Sequence, residues 1–152
     1  MSVKIVSASF DPWQEVSAFQ TQHSTLHGQY GATNIFIGTM RDFNAGEQVQ
    51  GMTLEYYPGM TEKQLAKIVV AAKQQWQLLE CLIVHRVGDI LPNQPIVVVA
   101  VWSSHRGDAF DACRFIMEDL KSKAPFWKKD LLANNQSRWQ VSNSNGYAKS
   151  EA

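Results

Sequence analysis

The spacing of apolar and polar residues changes several times along the chain, and each change predicts an element. Val3 to Ser9 is a short strand candidate. Next to it, Asp11-Pro12 sets an N-cap side chain before a proline at the first helical position, so a helix to about Gln22 is expected. Ala32 to Met40 and Met52 to Tyr57 are rich in β-branched and apolar residues and read as strands, joined by a polar loop from Arg41 to Gly51. Pro58 to Trp76 carries Leu65, Ile68, Val69, Ala72 and Trp76 at helical spacing, and Thr61 with Gln64 fits a capping box. Cys81 to Val87 and Ile96 to Ser103 are apolar runs too short for helices. Turn-like Gly88-Asp89 and Pro92-Asn93 separate them, so they read as paired strands. Ser104 is the expected cap of a second long helix, in which Ala109, Ala112, Cys113, Ile116, Met117 and Leu120 keep the 3.6-residue period until Pro125 stops it. A strand from Phe126 to Leu131 and another near Arg138 to Val141 follow. The order βαββαββαββ predicts an α+β fold, with helices packed on a largely antiparallel sheet.

Composition narrows the function classes. A chain of 152 residues is about one domain and buries about 70% of its unfolded surface, enough for a core without staples. We expect that domain to span residues 1–141, because the Ser/Asn/Gly-rich stretch 142–152 reads as a flexible tail. The longest apolar run, Ile96 to Trp102, is far shorter than the ~20 residues of a membrane-spanning helix. The N-terminus lacks the pattern of a secretory signal, so the cytoplasm is the expected compartment. Cys81 and Cys113 are isolated thiols and fit reduced, buried cysteines. The 14 Lys+Arg and 14 Asp+Glu cancel, which argues against a general nucleic-acid or membrane-surface binder. The average hides a polarity: residues 1–104 hold 6 basic and 8 acidic side chains, residues 105–152 hold 8 and 6.

The sharpest local anomaly is Lys121-Ser-Lys-Ala-Pro-Phe-Trp-Lys-Lys129, four lysines with no acid between Asp119 and Asp130. Clustered cations lower one another's pKa and attract anions, although lysines at a helix C-terminus also simply favour the helix dipole. If Phe126 to Leu131 is extended, Phe126, Lys128 and Asp130 face one way and Trp127, Lys129 and Leu131 the other. Lys121 reaches the Lys128 pocket if the chain reverses at Ala124-Pro125, and Lys123 points elsewhere. A second anion site is available at Ser103-Ser104-His105-Arg106, where the helix N-terminus, a bidentate guanidinium and an imidazole coincide. His105 and Lys121 are separated by ~24 Å of continuous helix, so one pocket holds both ends only if two chains share it. Arg41 opens a polar loop, where an anion-binding arginine and a plain surface one are equally ordinary. His23 and His27 have i, i+4 spacing but no H-E-x-x-H glutamate, so no metal site is expected. His85 ends an apolar strand and reads as a satisfied, partly buried histidine. Phosphate-binding loops, G-x-S-x-G and G-x-G-x-x-G are absent from the sequence.

Four segments, Thr53-Leu-Glu-Tyr-Tyr-Pro-Gly-Met60, His85-Arg-Val-Gly88, Ser104-His-Arg106 and Lys121-Ser-Lys-Ala-Pro-Phe-Trp-Lys128, resemble in order and spacing the large, catalytic subunit family of molybdopterin synthase. The resemblance runs from about Val3 to Trp139. It implies an α/β hammerhead-type fold and sulfur transfer to cyclic pyranopterin monophosphate, giving the dithiolene of molybdopterin in molybdenum cofactor biosynthesis. The implied sulfur donor is the thiocarboxylated C-terminal glycine of a small ubiquitin-like partner subunit, and the implied assembly is a heterotetramer around a homodimer of large subunits. No metal or organic cofactor is needed, because the partner delivers the sulfur. Carried over by position, Lys121 and Lys128 are the implied catalytic residues. Thr39, Met40, Arg41, His105, Arg106, Lys129 and Asp130 match substrate-binding positions, and Phe36 and Met117 match apolar lining. Tyr56 stands where the family commonly has histidine, and Asp130 where it often has glutamate. The competing reading is a noncatalytic module that binds only the ubiquitin-like partner or single-stranded nucleic acid through Phe126, Trp127 and the lysines.

Overall fold

The computed structural model describes residues 1–44, 46–140 and 146–147. In chain order its elements are β1 (Ser2–Val6), α1 (Pro12–Gln22), β2 (Ala32–Thr39), β3 (Phe43–Asn44), β4 (Glu47–Tyr56), α2 (Met60–Gln75), β5 (Leu78–Arg86), β6 (Gly88–Ile90), β7 (Pro95–Ser103), α3 (Arg106–Lys123), β8 (Phe126–Leu132) and β9 (Ser137–Trp139), with a 3-10 turn at Ser24–Leu26. The α+β expectation holds, and the three helices fall where periodicity put them. Asp11 caps α1 as read, its carboxylate accepting from the N–H groups of Trp13 at 3.0 Å and Gln14 at 3.3 Å. The tail expected at 142–152 lies outside the described residues except for Gly146 and Tyr147, whose hydroxyl accepts from Arg114 on α3 at 2.8 Å.

Two sheets divide the strands. The first has the order β1-β5-β7-β2, with β1 parallel to β5 and the other pairs antiparallel. The second runs β3-β4-β8-β9, and β6 pairs with β4. One face of the first sheet is covered by α2 and α3 over Leu65, Ile68, Ile83, Val99, Ile116 and their neighbours, and the other by α1 over Phe19, Leu82, Val98 and Trp102. Both faces of β5 and β7 are therefore buried, which explains why their sequences are unbroken apolar runs without alternation. A third cluster, with Met40, Val49, Met52, Leu54 and Ile90, belongs to the second sheet. Ile5, Ile96 and Phe126 pack against both the first and the third cluster and join the two sheets.

Three local readings change. The loop from Arg41 to Gly51 contains β3 and the start of β4, and Gly88–Ile90 is a strand: both are short, polar pairings supplied by the register of β4, with little apolar signal of their own. The N-cap of α3 is His105, not Ser104. Ser104 Oγ turns away to donate to the Gln29 carbonyl at 3.4 Å, while Ser103 Oγ accepts from the His105 N–H, also at 3.4 Å. The capping box of α2 begins at Gly59, two residues before Thr61: the Glu62 carboxylate accepts from the Gly59 N–H at 2.9 Å, and Gly59 adopts φ +85°, which a Cβ would strain. Thr61 is released for another task. Fully buried, it accepts from the Tyr57 N–H at 3.1 Å and donates to the Pro125 carbonyl at 3.1 Å, tying the start of α2 to the turn between α3 and β8.

Candidate active site

The turn held by Thr61 creates the site. Pro125 lacks an N–H and cannot extend α3, so the helix closes at Ala124 and the chain reverses into β8. β8 then alternates as an extended strand must: Phe126, Lys128 and Asp130 point inward, and Trp127 and Leu131 are exposed. The reversal brings the Lys121 and Lys128 side chains into hydrogen-bonding contact. An N–H···N bond between two amines needs one of them uncharged, and Lys128 meets that need. Burial, then the positive charge and hydrogen bond of Lys121, press its pKa from 10.5 to about 7, against the opposing pull of Asp130. Lys123, as expected, points away, its ammonium 3.0 Å from the Asp119 carboxylate.

Asp130 is buried at the next inward position of β8. Gln140 Nε2 donates to it at 3.2 Å, and an Arg138 guanidinium nitrogen lies 3.7 Å away. It is therefore placed as a held negative charge beside Lys128 rather than as a free carboxylate. Lys129 is on the other face, with its ammonium 5.3 Å from the centroid of the Trp139 ring, so the structure does not bring it to the pair.

His85 completes the cluster. Cys81, Ile83 and His85 occupy alternate positions of β5 on the face covered by α2 and α3, and His85 is the last of them. Its ring stacks on Phe126 with centroids 4.0 Å apart at 16°, and its Nδ1 lies 2.8 Å from the Arg86 carbonyl oxygen. Burial first, then the charges of Lys121 and Lys128, lower its pKa to about 3, so the imidazole is neutral at physiological pH. The reading of His85 as a satisfied, buried histidine was right about its environment and missed its neighbours. The period-2 alternation of β5 together with the inward phase of β8 was the available signal.

The other candidates divide by the ends of the first sheet. Since β2 and β5 both run antiparallel to β7, Thr39 lies opposite Pro95 and His85 opposite Val97, at the same end. Thr39, Met40 and Arg41 thus belong to the lysine end. Met40 is buried, with its N–H donating to the Gln94 carbonyl at 3.0 Å and its carbonyl accepting from the Asn93 N–H at 2.9 Å, while Thr39 and Arg41 are exposed. Met117 is buried on α3 one turn before Lys121, and Phe36 is 40% exposed on the edge strand β2. His105 and Arg106 are exposed at the far end of α3, and fifteen residues of helix put Arg106 ~22 Å from Lys121 along the axis. A single chain does not unite the two anion sites.

The sequence matches the family described as MoaE protein over residues 7–123. It is 51% identical over 138 residues to the molybdopterin synthase catalytic subunit of Ralstonia nicotianae, covering 91% of this chain and 76% of that one. The chain belongs to the family of molybdopterin synthase catalytic subunits. Solved structures agree with the assignment. The molybdopterin biosynthesis MoaE protein from Burkholderia ambifaria superposes with a TM-score of 0.77 at 43% identity, over 95% of this chain and 91% of that one. A protein-protein complex of subunits 1 and 2 of molybdopterin-converting factor from Helicobacter pylori shares the fold, with a TM-score of 0.76 at 24% identity over 93% and 92%. The expectation of an enzyme subunit of this synthase, drawn from the four segments, is borne out. Among the described residues no helix is long and apolar enough to cross a membrane.

Proposed function

We propose that this chain transfers sulfur from the thiocarboxylated C-terminal glycine of a small ubiquitin-like subunit to cyclic pyranopterin monophosphate, forming the dithiolene of molybdopterin, and that it does so in the cytoplasm. The observation that carries the reading is the hydrogen-bonded Lys121–Lys128 pair. A thiocarboxylate is an anion that enters where positive charge is concentrated, and its transfer sheds negative charge onto oxygen. Lys121 supplies the fixed cation. Lys128, close to half protonated at neutral pH, can give a proton to a developing oxyanion or leaving group, or present a free amine to the partner's carbonyl. The buried Asp130 sets the balance by favouring the protonated form of Lys128.

In this reading Arg41, with Thr39 and Met40, holds the substrate phosphate at the lysine end, and Phe36 and Met117 form the apolar wall. The length of α3 supports a site in which His105 and Arg106 serve the pocket of a second copy, so that each chain is one domain but each site is built by two, inside a heterotetramer with the small subunit. Lys129 takes part at the rim of the neighbouring face. The test is to mix the purified chain with thiocarboxylated small subunit and the cyclic pterin monophosphate and to measure dithiolene product. Product that depends on Lys121 and Lys128 is expected, and full product from Lys121→Ala would overturn the reading. The shared site has its own arm. Mixed dimers of an Arg106→Ala chain with a Lys121→Ala chain regain activity, since one of their two pockets is intact, and inactivity of proven mixed dimers would refute sharing.

A further inference from the structure

Arg86, the last residue of β5, is a buried charge with no part in the sulfur transfer proposed above. Only 7% of it is exposed, and among the described residues no carboxylate lies within ion-pair distance of its guanidinium. The Asp89 carboxylate accepts instead from the Thr53 hydroxyl at 2.7 Å. A guanidinium enclosed without an acid is costly to keep unless its hydrogen bonds compensate. Its Nε has no partner, so the compensation falls on the two terminal nitrogens. Nη1 donates to Gln94 Oε1 and Nη2 to the Asp89 carbonyl, both at 2.6 Å, so one planar group grips both ends of the segment from Asp89 to Gln94.

That segment is a tight turn. Gln94 Oε1 also accepts from the Leu91 N–H at 3.0 Å, and the Gln94 N–H closes onto the Leu91 carbonyl at 3.1 Å. Between them, Pro92 followed by Asn93 at φ +72° fits a type II turn. The turn in turn holds Met40. The ladder between β2 and β7 shifts register between Gly38 and Thr39, and beyond the shift both backbone groups of Met40 go to the turn. Its N–H donates to the Gln94 carbonyl at 3.0 Å, and its carbonyl accepts from the Asn93 N–H at 2.9 Å. With its side chain buried as well, Met40 is pinned, and Arg41 leaves that point into solvent.

We propose that Arg86 is a positioning residue for the substrate-binding segment: through Gln94 it fixes the turn that pins Met40, and so sets where the Arg41 guanidinium meets the substrate phosphate. This rests on the reading of Arg41 as a phosphate-holding residue. Two acceptors at fixed angles need a planar fork, which an ammonium of the same charge lacks. Arg86 is too deeply enclosed to touch the substrate and acts through its neighbours.

Rates of dithiolene formation at saturating thiocarboxylated small subunit give kcat and KM for the cyclic pterin monophosphate in wild type, Arg86→Lys, Gln94→Ala and Arg41→Ala. Gln94→Ala keeps the buried charge and alters only a half-buried turn residue, so it tests the tie in a chain with its core intact. In both Arg86→Lys and Gln94→Ala, KM rises about tenfold and kcat stays within about twofold, because binding is lost and the lysine pair is untouched. Adding Gln94→Ala to Arg41→Ala raises KM no further, since the tie acts through Arg41. A wild-type KM in Arg86→Lys overturns the proposal, because the charge without the fork would then suffice. A Gln94→Ala effect that multiplies with that of Arg41→Ala, or a loss confined to kcat, overturns it too. Amide exchange of Met40 and Asn93, followed by NMR without substrate, reads the placement apart from activity. Exchange about tenfold faster or more in both variants is expected, and unchanged rates refute the tie. An unchanged KM in Arg41→Ala refutes the phosphate reading of Arg41 by itself, and the exchange rates then still decide whether Arg86 holds the segment.

Discussion

Replacing Lys121 by methionine keeps most of the side-chain volume and removes one positive charge and one hydrogen bond from Lys128. The consequence follows from the order of the forces on Lys128: burial lowers its pKa most, the charge and hydrogen bond of Lys121 lower it further, and Asp130 opposes them. Together they bring it from 10.5 to about 7. At pH 7 that raises the fraction of free amine roughly a thousandfold over an unperturbed lysine. In Lys121→Met only the two Lys121 contributions vanish, so the pKa rises without returning to its ordinary value, and burial keeps it depressed. An increase of about one unit or more is expected, since a like charge at hydrogen-bonding distance is worth that much in a partly buried site. The free amine at pH 7 then falls about fivefold or more. The assay is the pH dependence of Lys128 acylation, with the exposed Lys123 as an internal reference. A Lys128 midpoint that stays near 7 in Lys121→Met would refute the claim that Lys121 holds the Lys128 pKa down, and a midpoint near that of Lys123 would show that burial contributes nothing.

Two further outcomes follow. His85 has a folded pKa of about 3 against an ordinary 6.5, so the unfolded chain binds the extra proton between those values and the folded chain does not. Its contribution to stability is complete above about pH 6.5 and is lost as pH falls toward 3, by at most roughly 5 kcal/mol. Urea unfolding of His85→Gln across that range therefore shows a shallower acid decline than wild type, and parallel declines would contradict a neutral, buried imidazole. Thr61→Val leaves the Pro125 carbonyl and the Tyr57 N–H without their buried partner. It should cost about 1–3 kcal/mol in denaturant unfolding and loosen the turn that brings the lysines together. A loss under about 0.5 kcal/mol would show that water replaces the hydroxyl there.

Much of this arrangement was legible along the chain because it depends on local rules. Pro125 after a helical run and the alternation of Phe126, Lys128 and Asp130 were enough to place Lys121 and Lys128 in one pocket and Lys123 outside it. The 3.6-residue period of Ala109 to Leu120 gave the length of α3, and that length alone separates Arg106 from Lys121. The misreadings share a cause. β3 and β6 are too short and polar to carry a pattern of their own and exist because β4 offers them a partner. Ser104 and Thr61 have side chains suited to capping, but distant backbone groups, the Gln29 and Pro125 carbonyls, claim them instead.

The sequence by itself determined the elements, the inward phase of each strand, the hidden surplus of basic residues after position 104 and the family. These are encoded by neighbours a few residues apart, and secondary structure responds to that range. Only the tertiary structure decided the electrostatics. The charge on Lys128 depends on how deeply a strand and a helix end are buried, and on Asp130 being held by Arg138 and Gln140 at the next inward position. The same packing set His85, 36 residues before Lys121 in the chain, within the field of both lysines as a neutral imidazole. A pKa is a property of burial and of charges brought together through space, so no spacing along the chain could have supplied it.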